Sequence, residues 1–298
     1  MPSSHALPGK ARIRHVEGGQ STLYVDARHA QACAELWRGG EFTTIAVNEN
    51  ENPELKSLDF LEAFFPVARL HVMLSRRVDL SILESASLEW FFSNDGFNSL
   101  NDLSKFPDLE ILAQGWKRTF DPSGAGPSLR RLALTGFRPE DGGLGEMTHL
   151  HQLSHLSLLT TSVISLDGLQ AMPSLLSASF CSAPKLRDIS ALGDMRNLEV
   201  LQFEACKSLE GVADAVRSPA LRELECTKCS ALSSLSFIRE LPALETFLFP
   251  DTDVIDGDMS PMLDHPSLNR VLFTKKKHFS MSYLDVMSHL RQRKGEPQ

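Results

Sequence analysis

A segment of the form apolar-x-x-apolar-x-apolar returns seven times in the second half of the chain: LRRLAL at 129, LSHLSL at 153, LLSASF at 175, LEVLQF at 198, LRELEC at 221, LETFLF at 244 and LNRVLF at 268. Successive copies start 22 to 24 residues apart. Four weaker copies, FTTIAV at 42, VARLHV at 67, LEWFFS at 88 and LEILAQ at 109, extend the series towards the N-terminus. A period of this length, kept over most of 298 residues, leaves few folds open. Each repeat is one small unit that cannot bury its apolar side alone, so neighbouring copies must stack and share a core.

The repeat has two halves. Pro stands just before the apolar segment in MPSL, SPAL, LPAL and HPSL, as suits the entry to a strand rather than its middle. Between the segments the apolar residues recur every third position: Leu186, Ile189, Leu192 and Met195; Leu232, Leu235, Ile238 and Leu241; Leu55, Leu58, Leu61 and Phe64. That spacing fits 3₁₀ turns, in which residues i and i+3 eclipse.

The motif RDISALGDMRNLEVLQFEAC resembles the leucine-rich repeat family, in its short-repeat form of about 22 residues known from internalins and phosphatase regulators. The resemblance covers residues 42 to 276. It implies an α/β solenoid of about eleven repeats with a parallel β-sheet on the concave face, a 3₁₀ or irregular convex side, and caps at both ends. It implies no particular chemistry, because such a fold is a platform.

Within that frame, positions 1, 4 and 6 of each repeat point inward, and the family commonly places Asn or Cys at position 9. Cys226 and Cys229, the Cys-x-x-Cys of LRELECTKCS, fall at positions 6 and 9, and Cys206 is position 9 of the preceding repeat. The pair is therefore read as two interior slots filled by small, buriable side chains. A zinc site would need two more ligands beside this pair, and no second Cys-x-x-Cys stands in the sequence to supply them. Position 9 elsewhere is Phe137, Thr161, Ala183 and Thr252, so there is no asparagine ladder and the turns are expected to be less regular than in internalins.

The organisation expected is one continuous domain: an N-terminal cap over 1–41, the solenoid over 42–276, and a capping helix with its tail over 277–298. STLYVDA reads as a strand and RHAQACAELWRGG as a short helix closed by Gly, with Cys33 and Trp37 facing inward. SMSYLDVMSHLRQRK reads as a helix that starts after a Ser N-cap and carries apolar Tyr283, Leu284, Val286, Met287 and Leu290, and the final GEPQ is expected to fray. The opening MPSSHALPGKARIRHVEGGQ lacks the apolar core of a secretory signal, and no apolar run is long enough to span a membrane. Five cysteines without disulfide-framework spacing point to a reducing, cytoplasmic setting, and the irregular repeats to a bacterial protein.

Strand residues alternate, so positions 3, 5 and 7 face outward on the concave side. Towards the N-terminus these are aromatic and basic: Arg69, His71, Trp90 and Phe92, with Trp116 on the adjoining turn and Arg131 further on. The middle is small-sided around His155, and an acidic cluster of Glu204, Glu223 and Glu225 follows. Exposed Trp and Phe beside Arg match the composition of binding hot spots, and Arg69 and Trp90 are placed for a cation–π contact. These ten residues are the candidate partner-binding set. The alternative for the rings is packing against the N-terminal cap, and for the glutamates a plain solvated face.

The function expected is a non-catalytic protein-interaction module without cofactor or metal, monomeric by default, with an inhibitor or immunity-type protein as one specific version. A net charge of −8 weighs against nucleic acid and against a polybasic membrane anchor. The one basic run, TKKKHF at 274 to 279, reads as solvation of the last strand edge. The competing reading is a hydrolase centred on His155 with Ser157 or Ser177 as nucleophile; it lacks a carboxylate to orient the imidazole and a Gly-rich oxyanion turn, and Cys181 lies too far along its strand to serve.

Overall fold

Each apolar-x-x-apolar-x-apolar segment forms a strand whose positions 4 and 6 enter a core. The computed structural model describes residues 12–16, 20–94 and 96–293. GEPQ, and the residues ahead of Arg12 in the expected N-terminal cap, lie outside the described residues. The chain divides into two compact units, residues 1–135 and 136–298.

The first unit contains β1 (Arg12–Val16), β2 (Gln20–Tyr24), the helix α1 (Ala30–Arg38), β3 (Thr44–Asn48), β4 (Arg69–Met73), β5 (Trp90–Ser93), β6 (Ile111–Gly115) and β7 (Arg131–Thr135). β1 is antiparallel to β2, and from β2 onward each strand lies parallel beside its predecessor. Ile45, Leu70, Phe91, Leu112 and Leu132 stand in register and fully buried, so the weaker N-terminal repeats keep the frame of the stronger ones. In α1 Cys33 and Ala34 are buried, while Trp37, one turn on from Cys33, is half-buried.

The second unit contains β8 (His155–Leu159), β9 (Ser177–Cys181), β10 (Val200–Glu204), the single turn α2 (Val212–Ala215), β11 (Glu223–Thr227), β12 (Thr246–Leu248), β13 (Arg270–Leu272) and α3 (Tyr283–Arg293). Its strands are parallel in chain order, with His155, Ser177, Val200, Glu223, Thr246 and Arg270 in one register row. The units hold twelve parallel strands, most of them joined by short 3₁₀ segments such as Asp59–Phe64, Ser190–Asp194 and Ser236–Glu240, the architecture of a leucine-rich repeat solenoid.

Three ladders hold the coils of the second unit together. At position 6, Phe180 stacks on Phe203 at 5.7 Å and Phe249 on Phe273 at 5.0 Å, with Cys226 standing between the two pairs. At position 8 the backbone is left-handed in six successive repeats, at Gly136, Thr160, Ser182, Ala205, Lys228 and Asp251, five of which are not glycine. Each of these residues except Asp251 donates its N–H to the position-7 carbonyl of the next coil at 2.8–2.9 Å. At position 9, Cys206 Sγ donates to Phe180 O, Cys229 Sγ to Phe203 O, and Thr252 Oγ1 to Cys226 O. The turns are thus regular, contrary to expectation: thiol and hydroxyl groups fill the role of the missing asparagines.

Asparagine does serve in the first unit, two positions later. Buried Asn52 accepts from Ala27 N at 2.8 Å and donates to Val25 O at 2.7 Å; buried Asn98 accepts from Val78 N and donates to Leu74 O and Arg76 O. The return side is organised by aspartates. Asp79, Asp102, Asp121, Asp188 and Asp258 each accept the N–H two residues on at 2.8–3.0 Å, closing Asx turns. These hydrogen bonds favour the ionised carboxylate and lower the pKa of Asp79, Asp102, Asp188 and Asp258.

At the C-terminal end, Ser282 and Asp285 form a reciprocal cap on α3, with Ser282 N donating to Asp285 at 2.8 Å and Asp285 N to Ser282 Oγ at 3.3 Å. Val286 and Leu290 are buried, whereas Leu284, on the opposite side of the helix, is 73% exposed. Arg293 donates to the carbonyls of Leu263, His265, Pro266 and Leu268. Next to it, buried His265 donates from Nε2 to Ile238 O and Leu241 O, both at 3.0 Å, and accepts Leu268 N–H on Nδ1 at 3.1 Å. That pattern fixes a neutral imidazole.

Candidate functional site

On the first unit the outward residues of β4–β7 form two register rows. One runs Arg69, Trp90, Ile111, Arg131; the other runs His71, Phe92, Ala113, Ala133. Strand alternation places all of them on the face opposite the core, since Leu70, Phe91, Leu112 and Leu132 point inward and are buried.

At the β4–β5 end of these rows the side chains engage one another. Arg69 lies over the Trp90 ring, its Cζ 5.9 Å from the ring centroid. The His71 ring stands perpendicular to Trp90 at 4.9 Å and tilted against Phe92 at 5.3 Å. His71 Nε2 is sealed from solvent and has no hydrogen-bond partner among the described residues. Burial lowers the pKa of His71 and keeps the ring neutral at physiological pH. The two alanines and Gly115 leave a shallow floor beside these rings. Arg131 is exposed at the far edge, and Trp116, just past β6, is half-buried with its backbone N–H on Thr135 O at 2.8 Å.

On the second unit the three glutamates lie on β10 and β11 but are not equivalent. Gln202 Nε2 donates to Glu223 at 3.0 Å and Thr227 Oγ1 donates to Glu225 at 2.6 Å, so flanking residues orient two of the carboxylates, while Glu204 is exposed. Leu248 and Leu272 pair in register on β12 and β13, and Leu272 is 45% exposed, adding an apolar margin that a search for charged and aromatic residues passes over. Position 5 of the last two repeats, Leu in both, is the sequence signal for it.

His155 accepts or donates through Nδ1 to the Ser154 hydroxyl at 2.9 Å, its own chain neighbour. Ser157 lies on the same strand as His155, and Ser177 stands opposite His155 in register on β9. Ser179 Oγ sits 3.5 Å from Cys181 Sγ, and burial raises the pKa of that thiol, with Glu204 and Glu225 nearby adding to the rise. The five cysteines are free thiols; Cys226 and Cys229 both lie in the core, and burial raises the Cys226 pKa well above its ordinary value. In the basic run, Lys276 and His278 approach Asp253 at 3.5 and 3.2 Å.

One groove lies away from the strand face of the first unit. Half open to solvent, it offers about 530 Å³ lined by residues that include Arg77, Glu84, Phe97, Asp102 and Lys105. Its Lys105 stands 3.9 Å from Glu84, and its Asp102 is committed to Ser104.

No family model and no curated protein sequence matches the chain. Among solved structures, an internalin, inlF, from Listeria monocytogenes str. 4b F2365 aligns over 82% of this chain and 76% of its own, with 14% identity and a TM-score of 0.46. Internalin C2, inlC2, from the same strain aligns over 82% and 84%, with 15% identity and a TM-score of 0.36. The TLR13 chain of a TLR13–ssRNA13 complex aligns over 84% of this chain with 17% identity and a TM-score of 0.54, and this chain spans 40% of its length. At 17% identity the likeness to the TLR13 chain is one of fold.

Proposed function

We propose that this leucine-rich repeat chain is a non-catalytic binding module that holds a protein partner on the concave face of its strands, as an inhibitor or immunity-type protein would. The observation that carries the reading is the cluster on β4 and β5. Arg69, His71, Trp90 and Phe92 are aligned on a strand face, and one imidazole nitrogen is sealed without a partner. Rings and guanidinium held in this way contribute contact area at low entropic cost, which is what binding hot spots need. Trp116 and Arg131 border this surface. His155 and the glutamates 204, 223 and 225 form the corresponding surface of the second unit.

A protein suits this chain better than a nucleic acid, because a net charge of −8 opposes a polyanion. The hydrolase alternative has less support, since the hydroxyl at His155 Nδ1 is that of Ser154. The free thiols support a reducing, cytoplasmic setting, and the uneven spacing of the short repeats a bacterial source.

The test is affinity capture from native lysate, read by mass spectrometry. Wild type is run beside Trp90→Ala/Phe92→Ala and beside Glu204→Lys/Glu223→Lys/Glu225→Lys. A protein retained by wild type and lost from one variant supports the reading and says which unit carries it. Retention by all three moves the interface off the strand face.

A further inference from the structure

We infer that the face of β4–β7 recognises an extended acidic segment of a protein partner, with two carboxylates four residues apart and an apolar side chain midway between them. The inference rests on the reading of this face as a partner surface and adds the chemistry of what lies on it.

The charge distribution carries the first half. The chain has 38 acidic residues against 30 basic ones. Yet none of the outward residues of β4–β7 is Asp or Glu, and two are arginines. Neither Arg69 nor Arg131 has a salt bridge among those described. A face that is positive and free of carboxylate, in a chain otherwise rich in acid, is complementary to a negative ligand.

The spacing carries the second half. Arg69 and Arg131 occupy the same register row with Trp90 and Ile111 between them. Three strand spacings separate them, about 14 Å at about 4.8 Å each. An extended segment that crosses the strands rises about 3.4 Å per residue, so its residues i and i+4 are also about 14 Å apart and point the same way. Residue i+2 then lands between Trp90 and Ile111, beside Phe92 and Ala113 of the neighbouring row. An acidic-x-apolar-x-acidic segment therefore meets guanidinium, apolar surface and guanidinium in order.

A single-stranded nucleic acid is the competing anionic occupant. It would bring closely spaced phosphates to only two cations. It would also need an open ring for stacking, where Trp90 already has Arg69 over it and His71 at right angles to it.

The experiment selects binders to the full chain from a random dodecapeptide display library, then measures fluorescence anisotropy with labelled Ser-Glu-Ser-Phe-Ser-Glu-Ser flanked by the enriched sequence. A labelled oligo-dT of the same length is the second probe. The proteins are wild type, Arg131→Glu, Arg69→Glu/Arg131→Glu and Trp90→Ala/Phe92→Ala. Arg131 is exposed, so its substitution leaves folding intact and keeps the test decisive even where the double variant is destabilised.

The inference expects enriched peptides with acidic residues at i and i+4. Binding should weaken about tenfold with Arg131→Glu, further with the double reversal, and with added salt. Enriched peptides that lack acid but still depend on Trp90 and Phe92 overturn the acidic-segment inference and leave the partner surface standing. Enrichment insensitive to every variant overturns both. Arginine-dependent binding of oligo-dT in place of peptide overturns the assignment to a protein segment.

Discussion

Replacing His265 tests the packing of the second unit most directly. The side chain is 1% exposed, and its three hydrogen bonds are not equally replaceable. Ile238 O and Leu241 O, which share its Nε2–H, each keep a backbone donor, from Leu241 N and Leu244 N at 3.0 Å. Leu268 N–H has His265 Nδ1 as its acceptor at 3.1 Å and is left orphaned when the ring is removed. His265→Ala should therefore cost about 1–3 kcal/mol for the orphaned N–H and about 1–2 kcal/mol for lost ring packing. His265→Asn places an amide oxygen where Nδ1 was and should recover about 1–3 kcal/mol of that loss. The assay is urea unfolding followed by circular dichroism, with amide exchange of Leu268 as a local readout.

The same arrangement fixes a pH dependence. Burial, with Arg293 adding a like charge, lowers the folded-state pKa of His265 below its ordinary value, against hydrogen bonds to the two carbonyls. The unfolded chain takes up its proton near pH 6.5, so the neutral imidazole contributes fully above about pH 6.5. Its contribution falls as pH drops from there through the lowered folded value. His71 titrates with the same sign in both proteins, so the difference between wild type and His265→Asn isolates His265. Equal stability of the Asn and Ala variants, or equal pH slopes for wild type and Asn, would refute this account.

Asn52→Ala removes the acceptor of Ala27 N–H and the donor to Val25 O, and should lower stability by about 2–3 kcal/mol in the same assay. Ala205→Gly relieves a left-handed residue at φ +55° and should raise stability by about 0.5–1 kcal/mol; a loss would show that the backbone there is not as described. Gly257→Ala adds a Cβ that overlaps His278 O at φ +65°, and should lower the melting temperature while leaving peptide binding to the first unit unchanged. With an aromatic disulfide reagent, the folded chain should show at most one slowly reacting thiol, Cys181, since Cys33, Cys206, Cys226 and Cys229 are buried, and five in urea.

Most of the fold was legible because it is written many times. Eleven copies of one apolar pattern locate β3–β13, and a copy as irregular as LEWFFS still holds Phe91 in line with Leu70 and Leu112. β2 was legible in STLYVDA, but its antiparallel partner β1 was not, since it occurs once and has no repeat to compare with. The ladders were legible only in part. Cys206 and Cys229 were placed in the interior by position, but the substitution of thiol and hydroxyl for asparagine depends on carbonyls 26 residues away. The placement of Arg69 beside Trp90 followed from strand alternation. That His71 packs between two rings, and that Gln202 and Thr227 hold two of the glutamates, depends on side-chain choices that a periodic pattern does not encode.

The left-handed residue at position 8 separates what the second unit needs from what it shows. The backbone bend and its N–H donate the same bond at nearly every coil, yet the side chains there are Thr160, Ser182, Ala205, Lys228 and Asp251, with hydroxyl, methyl, cation and anion alike. All but Ala205 are exposed. The geometry at this point asks nothing of side-chain identity beyond a conformational cost, smaller for Asp251 than for β-branched Thr160. A row of outward side chains spaced about 4.8 Å apart can therefore drift or be rewritten without disturbing the core. Such a rim is raw material: new surface chemistry can be tried there one coil at a time, on a scaffold whose stability is decided elsewhere.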